Sequence, residues 1–186
     1  MTNNRESIYI KGLYKSFKNN CLFQDASVEF RKGCLHLLQG DNGTGKTTFL
    51  RIMAGLEPFQ RAEIQYWDKF KYERSRLKTV KKHSSILTPH ELYPKELSVG
   101  DFLQLSALLY KIDGGIAKSR IHDYLELFFT GSSSIQSQQL SKLSLGMLQK
   151  VRIVQVFLPD RPLILLDEPF IGLDKYAIQV FIDLLI

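Results

Sequence analysis

The chain has 186 residues, a formal net charge of +6, 44% hydrophobic residues and 24% charged residues. This composition is typical of one globular domain, and no apolar run reaches the ~20 residues of a transmembrane helix. The first residues, MTNNRESIYI, do not resemble a signal peptide, so we expect a cytoplasmic protein in which Cys21 and Cys34 stay reduced. The positive charge favours acidic partners such as nucleotides, nucleic acid or lipid headgroups.

The first third of the chain predicts strands followed by a helix. Residues 8–17 and 21–30 alternate between apolar and polar, which predicts two antiparallel strands. The nearly continuous apolar run LHLLQ, residues 35–39, predicts a buried parallel strand. The following KTTFLRIMAGL predicts a helix that ends near Gly55.

The remainder predicts helices between two further strands. HSSIL, residues 83–87, predicts a strand, and Ser98 with Asp101 predicts a capped helix start. A second helical face is predicted by apolar residues at positions 117, 121, 124, 125 and 128. The apolar run in PLILLDEP predicts a buried strand, and GSSSIQSQQLSK predicts a loop or a frayed helix end. We expect an α/β fold in which a helical subdomain is inserted.

The stretch GDNGTGKTT, from Gly40 to Thr48, fits the phosphate-loop pattern Gly-x-x-x-x-Gly-Lys-Thr, called Walker A, between a predicted strand and a predicted helix. Backbone N–H groups of such a loop converge on phosphate oxygens, and the helix N-terminus adds its dipole. The pattern nominates the ATP-binding residues Asn42, Gly43, Gly45, Lys46, Thr47 and Thr48. Lys46 would bind the β- and γ-phosphates, and the Thr47 hydroxyl would bind Mg²⁺. The alternative is a glycine-rich turn without a ligand.

The stretch LILLDEP, residues 163–169, places two carboxylates at the end of a predicted buried strand, where open α/β sheets bind ligands. Asp167 would bind the Mg²⁺ through water, and Glu168 would polarise the attacking water as the catalytic base. The alternative is that both charges only end the strand. We refer to this stretch as Walker B.

The stretch KLSLGMLQK, residues 142–150, adds a third motif. A Leu-Ser-x-Gly at the start of a helix shortly before Walker B resembles the signature of ATP-binding-cassette (ABC) transporter ATPases, and the resemblance covers nearly the whole chain. It implies a P-loop NTPase core with an antiparallel β subdomain and a helical subdomain at about residues 91–150, all within one nucleotide-binding domain spanning residues 1–186. It also implies that Ser144 and Gly146 bind the ATP of a partner subunit in a head-to-tail dimer. Capping of the helix by Ser144 is the alternative.

Three further residues receive roles from the same resemblance. GLYKSF resembles the loop whose aromatic residue stacks on adenine, which nominates Phe17, although a core phenylalanine is the alternative. IGLD resembles the D-loop that links the two ATP sites and nominates Asp174. His90 stands near the position of a glutamine that contacts the catalytic water in the family, and an exposed loop histidine is the alternative.

The sequence also departs from the family pattern. Leu145 and Met147 replace a glycine and a glutamine of the signature, which weakens the expected contact with the partner's ATP. The family continues through a strand to a histidine that contacts the γ-phosphate, but His36, His83, His90 and His122 all precede Walker B. We therefore expect a truncated cassette that ends after the D-loop.

The resemblance implies an ATP-hydrolysing subunit that dimerises with a second ABC subunit and drives a separate transmembrane partner from the cytoplasmic face of the membrane. A nucleic-acid-linked ABC ATPase is the first alternative, because the basic run RSRLKTVKK, residues 74–82, would contact nucleic acid or lipid headgroups unless it is a solvated loop. A nucleotide-binding but catalytically silent subunit is the second, because of His90 and the missing histidine.

Overall fold

The structure is a computed structural model that describes residues 7–18, 20–67, 70–71, 77–89, 93–129 and 134–186. The chain divides into two compact units, Met1–His83 and Ser84–Ile186. None of the helices in these described ranges combines the length and the apolar composition that a membrane crossing requires.

The first unit contains an antiparallel sheet. Strand β1 (Ser7–Phe17) pairs with β2 (Asn20–Arg31) on one side and with β3 (Arg61–Tyr66) on the other, and β3 pairs with the short β4 (Phe70–Lys71). The register places Ile10 opposite Val28 in β2 and opposite Ile64 in β3. The two antiparallel strands predicted from apolar alternation are therefore confirmed.

Helix α1 (Lys46–Met53) follows the phosphate loop in the same unit. It buries Phe49, Ile52 and Met53, and the hydroxyl of the buried Tyr66 in β3 donates a hydrogen bond of 2.7 Å to the Met53 carbonyl. The helix stops where predicted, because Gly55 follows with a φ of 68°. Helix α2 (Leu77–His83) contains the described part of the basic run, in which the side chains of Lys81 and Lys82 are exposed.

The prediction of a buried strand at residues 35–39 is wrong. Residues 34–40 are not in a strand, and the side chains of Leu35 and Leu37 are 72% and 80% exposed. A parallel strand needs hydrogen-bonding neighbours, and residues 34–40 belong to neither of the two sheets that the described residues form. The apolar run alone did not contain that information.

Within its described residues, the second unit combines a parallel strand pair with four α-helices. Strand β5 (Ser84–Leu87) pairs in parallel with β6 (Leu163–Leu166), so that Ser84 lies opposite Leu163 and Leu87 opposite Leu166. The helices are α3 (Val99–Leu109), α4 (Gly114–Phe128), α5 (Leu145–Phe157) and α6 (Lys175–Leu185). Two 3₁₀ turns, Ile135–Ser137 and Leu140–Lys142, stand where a loop or a frayed helix end was expected.

The predicted helix start at Ser98 is confirmed. Its hydroxyl accepts a hydrogen bond from the Asp101 N–H at 3.1 Å and lies 2.6 Å from the Asp101 carboxylate. The predicted face of α4 is also buried, with Ala117, Ile121, Leu125 and Phe128 in the core that α3, α5 and α6 share. Both cysteines, Cys21 and Cys34, are free thiols on exposed residues.

Candidate nucleotide-binding site

The Lys46 side chain, which is expected to bind ATP, forms hydrogen bonds to the backbone of the phosphate loop. The Lys46 ammonium donates hydrogen bonds to the carbonyls of Gly40, at 2.7 Å, and Asp41, at 2.8 Å. The Thr44 hydroxyl donates to the same Asp41 carbonyl at 2.8 Å. An ammonium group has more donors than these two carbonyls use, so Lys46 can contact a phosphate oxygen from this position.

The N-terminus of α1 is arranged for an anion. Gly45 occupies the N-cap position with a φ of 97° and provides no side-chain cap for the helix. The positive φ favours glycine, and a Cβ at this position would also lie 3.0 Å from the ring of Phe23, a tight contact. The N–H groups at a helix N-terminus and the helix dipole together favour phosphate. Thr47 lies exposed in this first turn, as a Mg²⁺ ligand beside that phosphate would.

Phe17 ends strand β1 with 45% of its surface exposed, which contradicts the alternative of a core phenylalanine. One face of its ring lies against the ammonium of Lys15, 4.1 Å from the ring centroid. An aromatic ring at this degree of exposure remains available for stacking.

The two carboxylates of Walker B differ in their surroundings. Asp167 is only 5% exposed, and its N–H continues the β5–β6 ladder by donating to the Leu87 carbonyl at 2.9 Å. Glu168 is exposed and has a φ of 49°, a conformation that costs energy for a residue with a side chain. The turn therefore separates the carboxylates, with Asp167 enclosed and Glu168 presented to solvent.

The signature segment begins α5 with the helix cap that was the alternative role of Ser144. The Ser144 hydroxyl accepts from the Met147 N–H at 3.2 Å, and Ser144 itself stays exposed. Gly146 packs so closely on the carbonyl of Gly172 that a Cβ there would overlap the oxygen. The buried Gln149 donates to the Pro169 carbonyl at 3.0 Å. Helix α5 thus contacts both the end of Walker B, at Pro169, and the segment that follows it, at Gly172.

Asp174 caps the last helix and is bound by a lysine of α5. Its carboxylate accepts from the Ala177 N–H at 2.8 Å and from the Lys150 ammonium at 2.7 Å. The hydrogen bond from Lys150 is the main cause that lowers the pKa of Asp174 below its ordinary value of 3.8, and the bond from Ala177 adds to it. The predicted D-loop residue therefore has a structural partner within its own chain.

Sequence reasoning missed Lys15, Lys150 and Gly172. Lys15 and Lys150 had no local signal, because each pairs with a residue far away in the chain. Gly172 lies inside the quoted IGLD, but only its contact with Gly146 singles it out. His90 lies outside the described residues, so its role stays a prediction.

Comparison with known proteins decides the family. Residues 23–171 match the family model described as ABC transporter. The chain belongs to the ABC transporter family. The fold class that the resemblance implied, a P-loop NTPase core with an antiparallel β subdomain and a helical subdomain, is confirmed by the structural relatives.

Individual relatives and solved structures that resemble the chain are also ABC transporter proteins. The chain is 34% identical over 168 residues to the cytochrome c biogenesis ATP-binding export protein CcmA of Reclinomonas americana, which covers 90% of this chain and 73% of that protein. It is 31% identical to the ABC transporter ATP-binding protein YhcH of Bacillus subtilis, over 94% of this chain but 55% of the relative. A solved ATP-binding subunit of an ABC transporter superposes with a TM-score of 0.84 at 27% identity, covering 95% of this chain and 72% of that one.

Proposed function

We propose that the chain is the ATP-binding and ATP-hydrolysing subunit of an ABC transporter. In this proposal residues 1–186 form one nucleotide-binding domain with its helical subdomain at about residues 91–150. The domain pairs with a second ABC subunit and energises a separate transmembrane partner from the cytoplasmic side of the membrane. Family membership supports this function more strongly than a role on nucleic acid.

The observation that carries the proposal is the phosphate loop in front of α1. The Gly40 and Asp41 carbonyls use two of the three donors of the Lys46 ammonium, and Gly45 at the N-cap places no side chain before the helix N-terminus. This is the arrangement that binds the phosphates of a nucleotide. We assign Asn42, Gly43, Gly45, Lys46, Thr47 and Thr48 to the triphosphate and Phe17 to the adenine base.

For hydrolysis, we assign the polarisation of the attacking water to Glu168, with His90 as a second contact to that water. The exposure of Glu168 supports this role, because the base must reach a water molecule. The enclosed Asp167 is suited to hold Mg²⁺ through water, and the Thr47 hydroxyl is suited to bind it directly. The ion would supply charge neutralisation at the β- and γ-phosphates.

Titration calorimetry of Mg-ATP against Lys46→Ala tests the binding function. The substitution removes a charge-assisted contact of about 1.5–3 kcal/mol, so affinity should fall on the order of 10- to 100-fold or below detection. Lys118→Ala is the matched control, because Lys118 is exposed on α4 and carries the same charge. Equal ATP affinity of Lys46→Ala and Lys118→Ala would contradict the assignment of the phosphate loop.

The proposed contact of Ser144 and Gly146 with a partner's ATP is tested by trapping the dimer. Glu168→Gln should keep ATP bound without hydrolysis, so ATP should convert the protein to a stable dimer in analytical ultracentrifugation. Adding Ser144→Asp keeps the helix cap but sets a carboxylate against the γ-phosphate, and the dimer should dissociate. Ser119→Asp, on the exposed surface of α4, should leave it intact. A dimer that persists with Ser144→Asp would reduce Ser144 to a helix cap.

A catalytically silent subunit remains the second candidate, because Leu145 stands 65% exposed at the start of α5 where the family has glycine. A single-turnover ATP hydrolysis assay on the complex with its partners separates the two functions. Hydrolysis that Glu168→Gln abolishes supports the enzyme. ATP binding without hydrolysis in the assembled complex favours the silent subunit.

A further inference from the structure

The exposed ring of Phe17 rests on a buried lysine. The Lys15 ammonium lies 4.1 Å from the centroid of the ring, over its face. The Lys15 side chain is only 5% exposed, whereas Phe17 is 45% exposed. A cation over an aromatic face is attracted by the negative face of the ring quadrupole, and the attraction grows when the cation is shielded from water. Lys15 therefore holds one face of the ring and leaves the rest accessible.

The ammonium is fixed in this position by two further contacts. It donates to the Glu57 carboxylate at 2.7 Å and to the Pro58 carbonyl at 2.6 Å. A buried charge is stable only when it is paired and hydrogen-bonded, so these contacts keep Lys15 under the ring instead of in solvent.

The same contacts join the end of β1 to the end of α1. The N–H groups of Leu56 and Glu57 donate to the Arg51 carbonyl at 2.8 and 3.2 Å, so Glu57 is attached to the last turn of the helix. The Gln60 side chain binds both the N–H of Ser16, at 3.1 Å, and its carbonyl, at 2.9 Å. The strand end that carries Phe17 is thus tied to the helix whose other end begins at the phosphate loop.

We propose that Lys15 is a positioning residue for the nucleotide base. It holds the ring of Phe17 by one face, so that the other face receives a purine base, at a distance from the phosphate loop that Glu57 and α1 fix. The inference rests on the proposed nucleotide binding. Its specific consequence is that loss of Lys15 weakens binding of the base and leaves binding of the phosphates unchanged.

The test compares Mg-ATP with Mg-tripolyphosphate, a probe without a base, by calorimetry on the full chain. Phe17→Ala should lose about tenfold in affinity for ATP, because base stacking contributes that order of magnitude. Lys15→Met should lose about fivefold for ATP, the order that a cation–π contact to a partly exposed ring contributes, and neither variant should change tripolyphosphate binding. Lys15→Arg should recover most of the ATP affinity, because guanidinium also binds an aromatic face. Lys11→Met, on the exposed side of the same strand, should match the unmodified protein.

Removing Lys15 leaves the Glu57 carboxylate without its ion pair, so circular dichroism must show that each variant is folded. If Lys15→Met does not fold, Lys15→Met with Glu57→Gln removes both charges and should show the same loss restricted to ATP. Equal losses for both probes would overturn the proposal, because they would mean a general loosening of the phosphate loop. An unchanged ATP affinity would also overturn it.

The same experiment distinguishes failure of the proposed nucleotide binding from failure of the proposed role of Lys15. If the unmodified protein binds neither probe, nucleotide binding is wrong and the role of Lys15 with it. If Phe17→Ala leaves ATP affinity unchanged while Lys46→Ala abolishes it, the phosphate site stands but the stacking role of Phe17, and hence of Lys15, is overturned. If Phe17→Ala loses ATP affinity and Lys15→Met does not, only the role of Lys15 is overturned.

Discussion

Substitution of Gly146 by alanine tests the contact between the signature helix and the D-loop segment. Gly146 is the second residue of α5, and a Cβ there would overlap the carbonyl oxygen of Gly172. The helix backbone fixes the position of the Cβ, and the oxygen belongs to the backbone of Gly172. Neither atom can rotate away as the end of a flexible side chain would. Helix α5 and the loop at Gly172 must separate for the alanine to fit.

The change in the free energy of unfolding expected for Gly146→Ala is the sum of two opposing effects. Overpacking of this kind costs about 1–3 kcal/mol, whereas alanine is favoured over glycine in a helix by up to ~1 kcal/mol. We therefore expect Gly146→Ala to lower the free energy of unfolding by about 1–2 kcal/mol. Gly114 is the matched control, because it lies in the first turn of α4 and a Cβ there would meet no atom within 4 Å. Gly114→Ala should be neutral or stabilising by up to ~1 kcal/mol.

Urea unfolding followed by circular dichroism measures this difference. With a slope of about 1–3 kcal/mol per molar urea, a gap of ~2 kcal/mol separates the two midpoints by about 1 M. A Gly146→Ala variant as stable as Gly114→Ala would refute the reasoning, because it would show that the loop moves away from the helix without cost.

Three further outcomes are expected from the same unfolding assay. Ser98→Ala should cost about 1 kcal/mol by removing the cap of α3, and Ser98→Asp should restore stability; an Ala variant as stable as the parent would contradict the cap. Tyr66→Phe should cost about 1–3 kcal/mol, because the Met53 carbonyl loses the buried hydroxyl, and no loss would mean that water replaces it. The lowered pKa of Asp174 means that the unfolded chain binds its proton first, so this stabilisation is present above pH 3.8 and is lost as the pH falls further. Lys150→Met should therefore flatten the decrease in stability below about pH 4, and an unchanged acid profile would contradict the role of Lys150.

The sequence by itself determined the features whose causes lie within a few residues. The phosphate loop follows from its glycines and Lys46, and the caps at Ser98 and Ser144 need only the N–H groups of the next helical turn. Apolar alternation predicted β1 and β2, and a helical period predicted the buried face of α4. Each of these signals is a spacing along the chain, so it can be read before the chain folds.

Only the tertiary structure decided which distant groups meet. The apolar run at residues 35–39 has the composition of a buried strand, yet it pairs with no strand among the described residues and its leucines are exposed. Lys15 has the sequence appearance of a solvated residue, yet Glu57 and the Pro58 carbonyl hold it under Phe17. Strand pairing and the burial of a charge both depend on partners that are remote in sequence. A local pattern shows which groups a segment can bury or bind, but it does not show which distant residues will contact that segment.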